Sequence, residues 1–327
     1  MSIDTESGVR APGRLPFALP TVFDKFKMSA EEVGGLSFVL LVGSYAEGLD
    51  SPTSDVDLVF VGAKPTSLAQ PGEFAKCIID GKRVEAWNLD LTEFKQRVAV
   101  ADEATYRGRP VRELEFTHKL INAVCLAGEE AYEEVVAARR SPFSARMSDH
   151  FSQSAEGVFK DVLGALQSQD FFTAAGQARE IVGFAVDAYL ASQGDTYPKR
   201  KWRPRRLLRL RAQIPRLAAE YIAIEFGGPI AFEEADVRAW IERCLALVRG
   251  FQLKQYFGHD GAQSEAKGWG GMFYAYRLGD CFVARTATSV LQLSVPTALA
   301  VLSGKEGEIE SELRAQLLRV GLVEAGK

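Results

Sequence analysis

Histidine and cysteine are scarce in this chain. Its 327 residues include three histidines, His118, His150 and His259, and four cysteines, Cys77, Cys125, Cys244 and Cys281. No histidine lies near another, which excludes a histidine-rich metal site. The cysteines form no CxxC pair and sit in apolar or helical contexts, so they read as reduced core thiols of a cytoplasmic protein. The opening MSIDTESGVRAPGRLPFALP has no basic segment leading into an apolar one, so no secretory signal is expected. The charge-free stretch Thr286–Gly304 contains Pro296 and several Ser, Thr and Gln, and reads as a buried helical segment rather than a membrane span. An excess of positive charge is also missing: 39 Lys and Arg against 43 Asp and Glu give a net charge of −4. The surface as a whole therefore does not attract nucleic acid, and only a local basic patch would. There is no internal repeat and no low-complexity tract.

What is present suffices for a substantial core, with 47% hydrophobic residues and a length that allows two domains. The first 25 or so residues, rich in Pro, Gly and small polar residues, read as a loosely held lead-in. SFVLLV (37–42) and DVDLVFV (55–61) read as strands. FAKCIID and KRVEAWNLD form a third and fourth strand, joined at Asp80-Gly81, a strong hairpin signal. Helical patterns follow at 92–103, 110–127 and 129–140. After Ser141-Pro142 no strand run is evident, and helical periods cover 143–167, 170–192, 204–226 and 232–250. The expectation is an α/β (α+β) domain with a mixed sheet over residues 1–140, followed by an all-α helical domain over 141–327.

The chemistry concentrates in LLVGSYAEGLDSPTSDVDLVFVG, residues 41–63. A buried strand ends at Gly43, which leaves the backbone open to a ligand, and a short helix begins at Ser44 or Tyr45. Free N–H groups and the Ser44 hydroxyl at that corner suit an anionic oxygen. Asp55 and Asp57, spaced i and i+2 on the returning strand, project to one face. Their mutual repulsion is relieved by a divalent cation, and hard carboxylate oxygens suit Mg²⁺, which also takes phosphate oxygens. An anion cradle beside a carboxylate pair outlines a site for a Mg-triphosphate. Glu85, on the fourth strand, is a candidate third acid that would ligate a second metal or accept a proton from a hydroxyl; Asp90 is the alternative.

The pattern Gly43-Ser44, ten intervening residues, then Asp55-Val56-Asp57-Leu58, with Gly48 and Ser54 between, resembles the signature of the DNA polymerase β-like nucleotidyltransferases. The nearest likeness is to small bacterial, aminoglycoside-type members, and a looser likeness extends over residues 1–130. The resemblance implies a nucleotidyltransferase fold with a mixed sheet flanked by helices and a C-terminal helical domain. It places Gly43, Ser44 and Ser54 at the nucleotide, and Asp55, Asp57 and, less sharply defined, Glu85 on two Mg²⁺ ions. The implied activity is transfer of a nucleoside monophosphate, AMP from ATP, to a hydroxyl of a small acceptor such as an antibiotic or natural-product intermediate, with release of pyrophosphate (a 2.7.7-type transferase).

The run Lys199–Arg216 holds nine Lys or Arg and no acid. The likeness gives Lys199 or Lys201 a role at the triphosphate, without choosing between them. The same run also reads as a solvated helix face or as an RNA contact. Two rival functions follow: nucleotidylation of RNA or protein, and a non-catalytic, antitoxin-type partner built on the same fold. His118, in the helical pattern FTHKLINAV, reads as structural.

Overall fold

The computed structural model describes residues 13–62, 74–259, 272–304, 309, 311–320 and 322. It divides into two units, Met1–Arg146 with Tyr197–Arg205, and Met147–Thr196 with Arg206–Lys327.

In the first unit, α1 (Leu19–Lys25) carries Pro20 in its first turn, where a proline is well suited, and its Val22 is fully buried against the sheet. This part of the expected loose lead-in is thus built into the core; residues 1–12 lie outside the described residues. After α2 (Ala30–Gly34), capped reciprocally by Ser29 and Glu32, the apolar run becomes β1 (Leu36–Val42). A single turn, α3 (Gly43–Ala46), leads through a loop to β2 (Val56–Gly62). β3 (Phe74–Ile79) and β4 (Lys82–Asp90) form the expected hairpin. Asp80 (φ 49°) and Gly81 (φ 77°) both take the left-handed conformation that a tight two-residue turn demands. Asp90 caps α4 (Leu91–Ala99) by accepting from Glu93 N–H at 2.7 Å.

α5 (Val111–Ile121) ends earlier than its helical pattern suggests, and Val124–Ala127 forms β5 instead. Pairing with β1 satisfies backbone groups that would otherwise form a bare sheet edge. The sheet order is β3-β4-β2-β1-β5, with β2 and β4 parallel and the other neighbours antiparallel. This is the mixed sheet the sequence implies. α6 (Glu129–Gln167) continues through Pro142, where the sequence suggested a break. An interior proline costs about 3 kcal/mol. Burial of Tyr132, Val136, Phe143 and Met147 on both sides of it outweighs that cost.

The second unit is largely helical. Its core combines the end of α6 with α7 (Phe171–Ser192), and beyond α8 (Arg203–Arg209) adds α9 (Pro215–Glu225) and α10 (Glu234–Phe257). The single helix expected over 204–226 is two, because Pro215 cannot continue a helix but readily starts one. A three-stranded antiparallel sheet, unforeseen in the sequence, follows: β6 (Tyr274–Leu278), β7 (Cys281–Arg285) and β8 (Val290–Leu293). The segment read as helical over 286–304 therefore holds a strand, then α11 (Val295–Ser303), with α12 (Ser311–Arg319) beyond. The strands are only four or five residues long, too short to show a clear alternation. Among the described residues no helix is long and apolar enough to cross a membrane, and all four cysteines are free thiols.

Candidate functional site

The corner after β1 is shaped by Gly43. Its φ is +69°, and a Cβ there would lie 2.1 Å from Asp57 Oδ2, so only glycine fits. α3 is one turn long, fixed by Glu47 N–H donating to Gly43 C=O at 3.1 Å and Leu49 N–H to Ser44 C=O at 2.8 Å. So short a helix has little macrodipole. What the corner offers an anion is its first-turn N–H groups and the half-buried Ser44 hydroxyl. Ser54 closes the intervening loop: its Oγ accepts from Ser51 N–H at 2.9 Å, and its own N–H donates to Ser51 C=O at 3.0 Å.

β2 then carries Asp57 opposite Val42 on one side and Glu85 of β4 on the other. Asp55 lies two residues before Asp57, on the same face, while Val56 and Leu58 are fully buried on the opposite face. The parallel register thus puts Asp57 and Glu85 side by side beneath the Gly43 corner. Asp90 is five residues further along β4, paired with Gly62, and serves as a helix cap.

Cations surround this acidic face. Arg83 is bonded to Asp55 and lies 3.6 Å from Glu85, Lys76 is 3.5 Å from Glu85, and Lys119 of α5 is 3.8 Å from Asp57. Burial pushes the Asp57 carboxyl above the ordinary carboxylate range; Lys119 pulls it back, and Glu85, Asp55 and Glu115 push it up again. Among the described residues no three potential metal ligands converge on one point, and Asp55 is bonded to Arg83. In kind the donors fit a hard divalent cation: carboxylate oxygens on one face, one of them with its charge disfavoured by burial and by like-charged neighbours.

The segment Tyr197–Arg205 reaches this unit from far along the chain. Tyr197 stacks on His118 with ring centres 5.1 Å apart. Lys199 pairs with Glu115 at 2.7 Å, one helical turn before Lys119, and Arg205 donates to Leu49 C=O at 3.1 Å. Lys201 is exposed, its ammonium 5.1 Å from the Trp202 ring. His118 Nε2 and Glu47 Oε1 are 2.9 Å apart and almost wholly buried, tying the end of α3 to α5. The structure thus gathers Gly43, Ser44, Asp55, Asp57 and Glu85 at one end of the sheet, with Lys199 bonded to the helix that supplies Lys119. Sequence reasoning passed over Lys119, Arg83 and the Glu47–His118 pair. The signal for Lys119 was a lysine between the apolar positions Leu114, Leu120 and Ile121, only slightly exposed once α5 packs.

Comparison with known proteins bears on this region directly. Residues 25–113 match the family model of the nucleotidyltransferase domain. The matched segment contains the corner, both aspartates and Glu85, and it supports the nucleotidyltransferase superfamily for this part of the chain. No curated protein matches. Among solved structures, a nucleotidyltransferase-like protein from Exiguobacterium sibiricum 255-15 is similar over 73% of this chain and 76% of that one, at 11% identity and a TM-score of 0.40. Lys119 and the Tyr197–Arg205 segment fall outside the matched nucleotidyltransferase domain.

Proposed function

We propose that this protein is a cytoplasmic, Mg²⁺-dependent nucleotidyltransferase that moves AMP from ATP to a hydroxyl of a small-molecule acceptor, such as an antibiotic or natural-product intermediate. The observation that carries the reading is the meeting of two features: the Asp57 carboxylate rests against the Gly43 backbone and stands in register with Glu85. A site for the triphosphate and a site for its cations are thereby contiguous. The Gly43–Ser44 corner, with Ser54 in its loop, holds the phosphates; Asp55, Asp57 and Glu85 are the metal ligands. Bound there, two Mg²⁺ ions supply charge neutralisation on the phosphates and acidification of the acceptor hydroxyl.

Glu85 accepts the acceptor's proton as its oxygen bonds to the α-phosphorus and the bond to the bridging oxygen of pyrophosphate breaks. Lys199 or Lys201 balances charge on the departing pyrophosphate, Lys199 by exchanging Glu115 for phosphate. A nucleic-acid acceptor is the weaker reading, because Arg203 and Arg206 of the basic run are buried rather than presented to a partner. Pyrophosphate release, assayed with each nucleoside triphosphate, Mg²⁺ and a panel of hydroxyl acceptors, tests the proposal. Release that persists unchanged in the Asp55→Asn, Asp57→Asn double variant would refute the metal assignment, and no release with any acceptor would favour the non-catalytic rival.

A further inference from the structure

A cavity in the helical unit has no part in the proposed reaction. It measures about 320 Å³ and is lined by residues of α9, α10 and α11. Leu217, Leu247, Leu253 and Leu302 supply an apolar wall, and Arg216, Arg243 and Arg249 bring three guanidinium groups against one lining carboxylate, Glu220. That carboxylate is already engaged by Arg243 at 2.6 Å.

Arg249 is the unusual member. It is 8% exposed and has neither a hydrogen bond nor an ion pair among the described residues; its guanidinium lies 5.2 Å from the centre of the Phe273 ring. Burial lowers its pKa to about 10, opposed only by Glu242, seven residues earlier on the same helix. A buried cation without a bonded counter-charge is costly, and buried charges are as a rule paired. Arg206, in the same unit, shows the usual arrangement: it is fully buried, with Asp187 at 3.2 Å and Asp195 at 2.9 Å. Arg249 faces a cavity where Arg206 faces carboxylates.

We propose that this cavity binds a small organic anion, a carboxylate or phosphate head on an apolar body. Arg249 holds the head, Arg216 adds charge at the rim, and the leucines receive the body. The volume lies at the lower end of the range of ligand pockets, roughly 300–1,000 Å³, which limits the body to a short chain or a single ring.

Calorimetric titration of the full chain with octanoate and with hexyl phosphate tests this. Inorganic phosphate and hexyltrimethylammonium serve as the controls for the apolar body and for the sign of charge. At least one anionic amphiphile should bind with a Kd below about 1 mM, and inorganic phosphate and the cation much more weakly. Whichever head binds more tightly identifies the chemistry. Arg249→Met should weaken binding on the order of tenfold or more, and Arg216→Gln by less. Because Met removes an unpaired buried charge, Arg249→Met should melt at the wild-type temperature or above. The proposal falls if the cation binds as well as the anions, if neither anion binds, if Arg249→Met binds normally, or if that variant fails to fold and Arg216→Gln binds normally.

Discussion

Two buried charges, one in each unit, are handled in opposite ways. In the helical unit Arg206 is enclosed and matched by Asp187 and Asp195 together with the Asp195 carbonyl, so its burial is balanced locally. On the sheet of the first unit, Asp57 is mostly enclosed beside two other acids, and the arrangement disfavours its ionisation. A fold gains nothing in stability from the second arrangement. Such a local conflict is the kind that the proposed function would relieve with a bound cation.

The comparison can be broken most sharply at Asp57. Asp57→Asn should lower nucleotidyl transfer by about a thousandfold or more, since each factor of ten corresponds to about 1.4 kcal/mol of barrier, while leaving the melting temperature unchanged or raised. A thousandfold loss accompanied by unfolding would make Asp57 structural instead. Arg206→Ala should do the reverse: a loss of about 3–5 kcal/mol in denaturant titrations, because Asp187 and Asp195 lose the buried cation they share. Gly43→Ala combines a strained left-handed residue with a collision against Asp57, and should cost both activity and about 1–3 kcal/mol of stability. Asp90→Ala should remove only a helix cap, about 1 kcal/mol, and leave turnover intact; lost turnover would instead make Asp90 the third acid.

The smallest effect is in pH dependence. Because the folded-state pKa of Asp57 is raised, the folded protein holds that proton longer than the unfolded chain does. Its contribution to stability therefore declines as pH rises from the ordinary carboxylate value through the raised one. Difference titrations of wild type against Asp57→Asn should show this decline, and added Mg²⁺ should flatten it.

Much of the candidate site could be read along the chain because it is local. Gly43, Ser44, Asp55 and Asp57 fall within one strand, turn and strand, where spacing alone decides which face each residue takes. The hairpin at Asp80-Gly81 was equally legible, since two left-handed residues leave few alternatives. Glu85 could be expected on a strand near Asp55 and Asp57, but its register against Asp57 could not, because register depends on how distant strands pair. Lys119 carried only the signal of a lysine among apolar positions, and the basic run that begins at Lys199 showed its charge but not where it folds. Nothing in a helix pattern or a basic run says that Lys119 ends beside Asp57, or that Lys199 meets Glu115, 84 positions earlier.

The short β6–β8 strands and the helix through Pro142 were missed for a related reason: packing overrode local preference. By itself the sequence determined the corner, the paired carboxylates and the alternation of sheet and helix, all properties of spacing within a few residues. Only the tertiary structure decided the parallel register of Asp57 with Glu85, the ring of cations around them, and which arginines are matched and which are left unpaired. Those outcomes depend on burial and on contacts between distant segments, and short-range periodicity does not encode them.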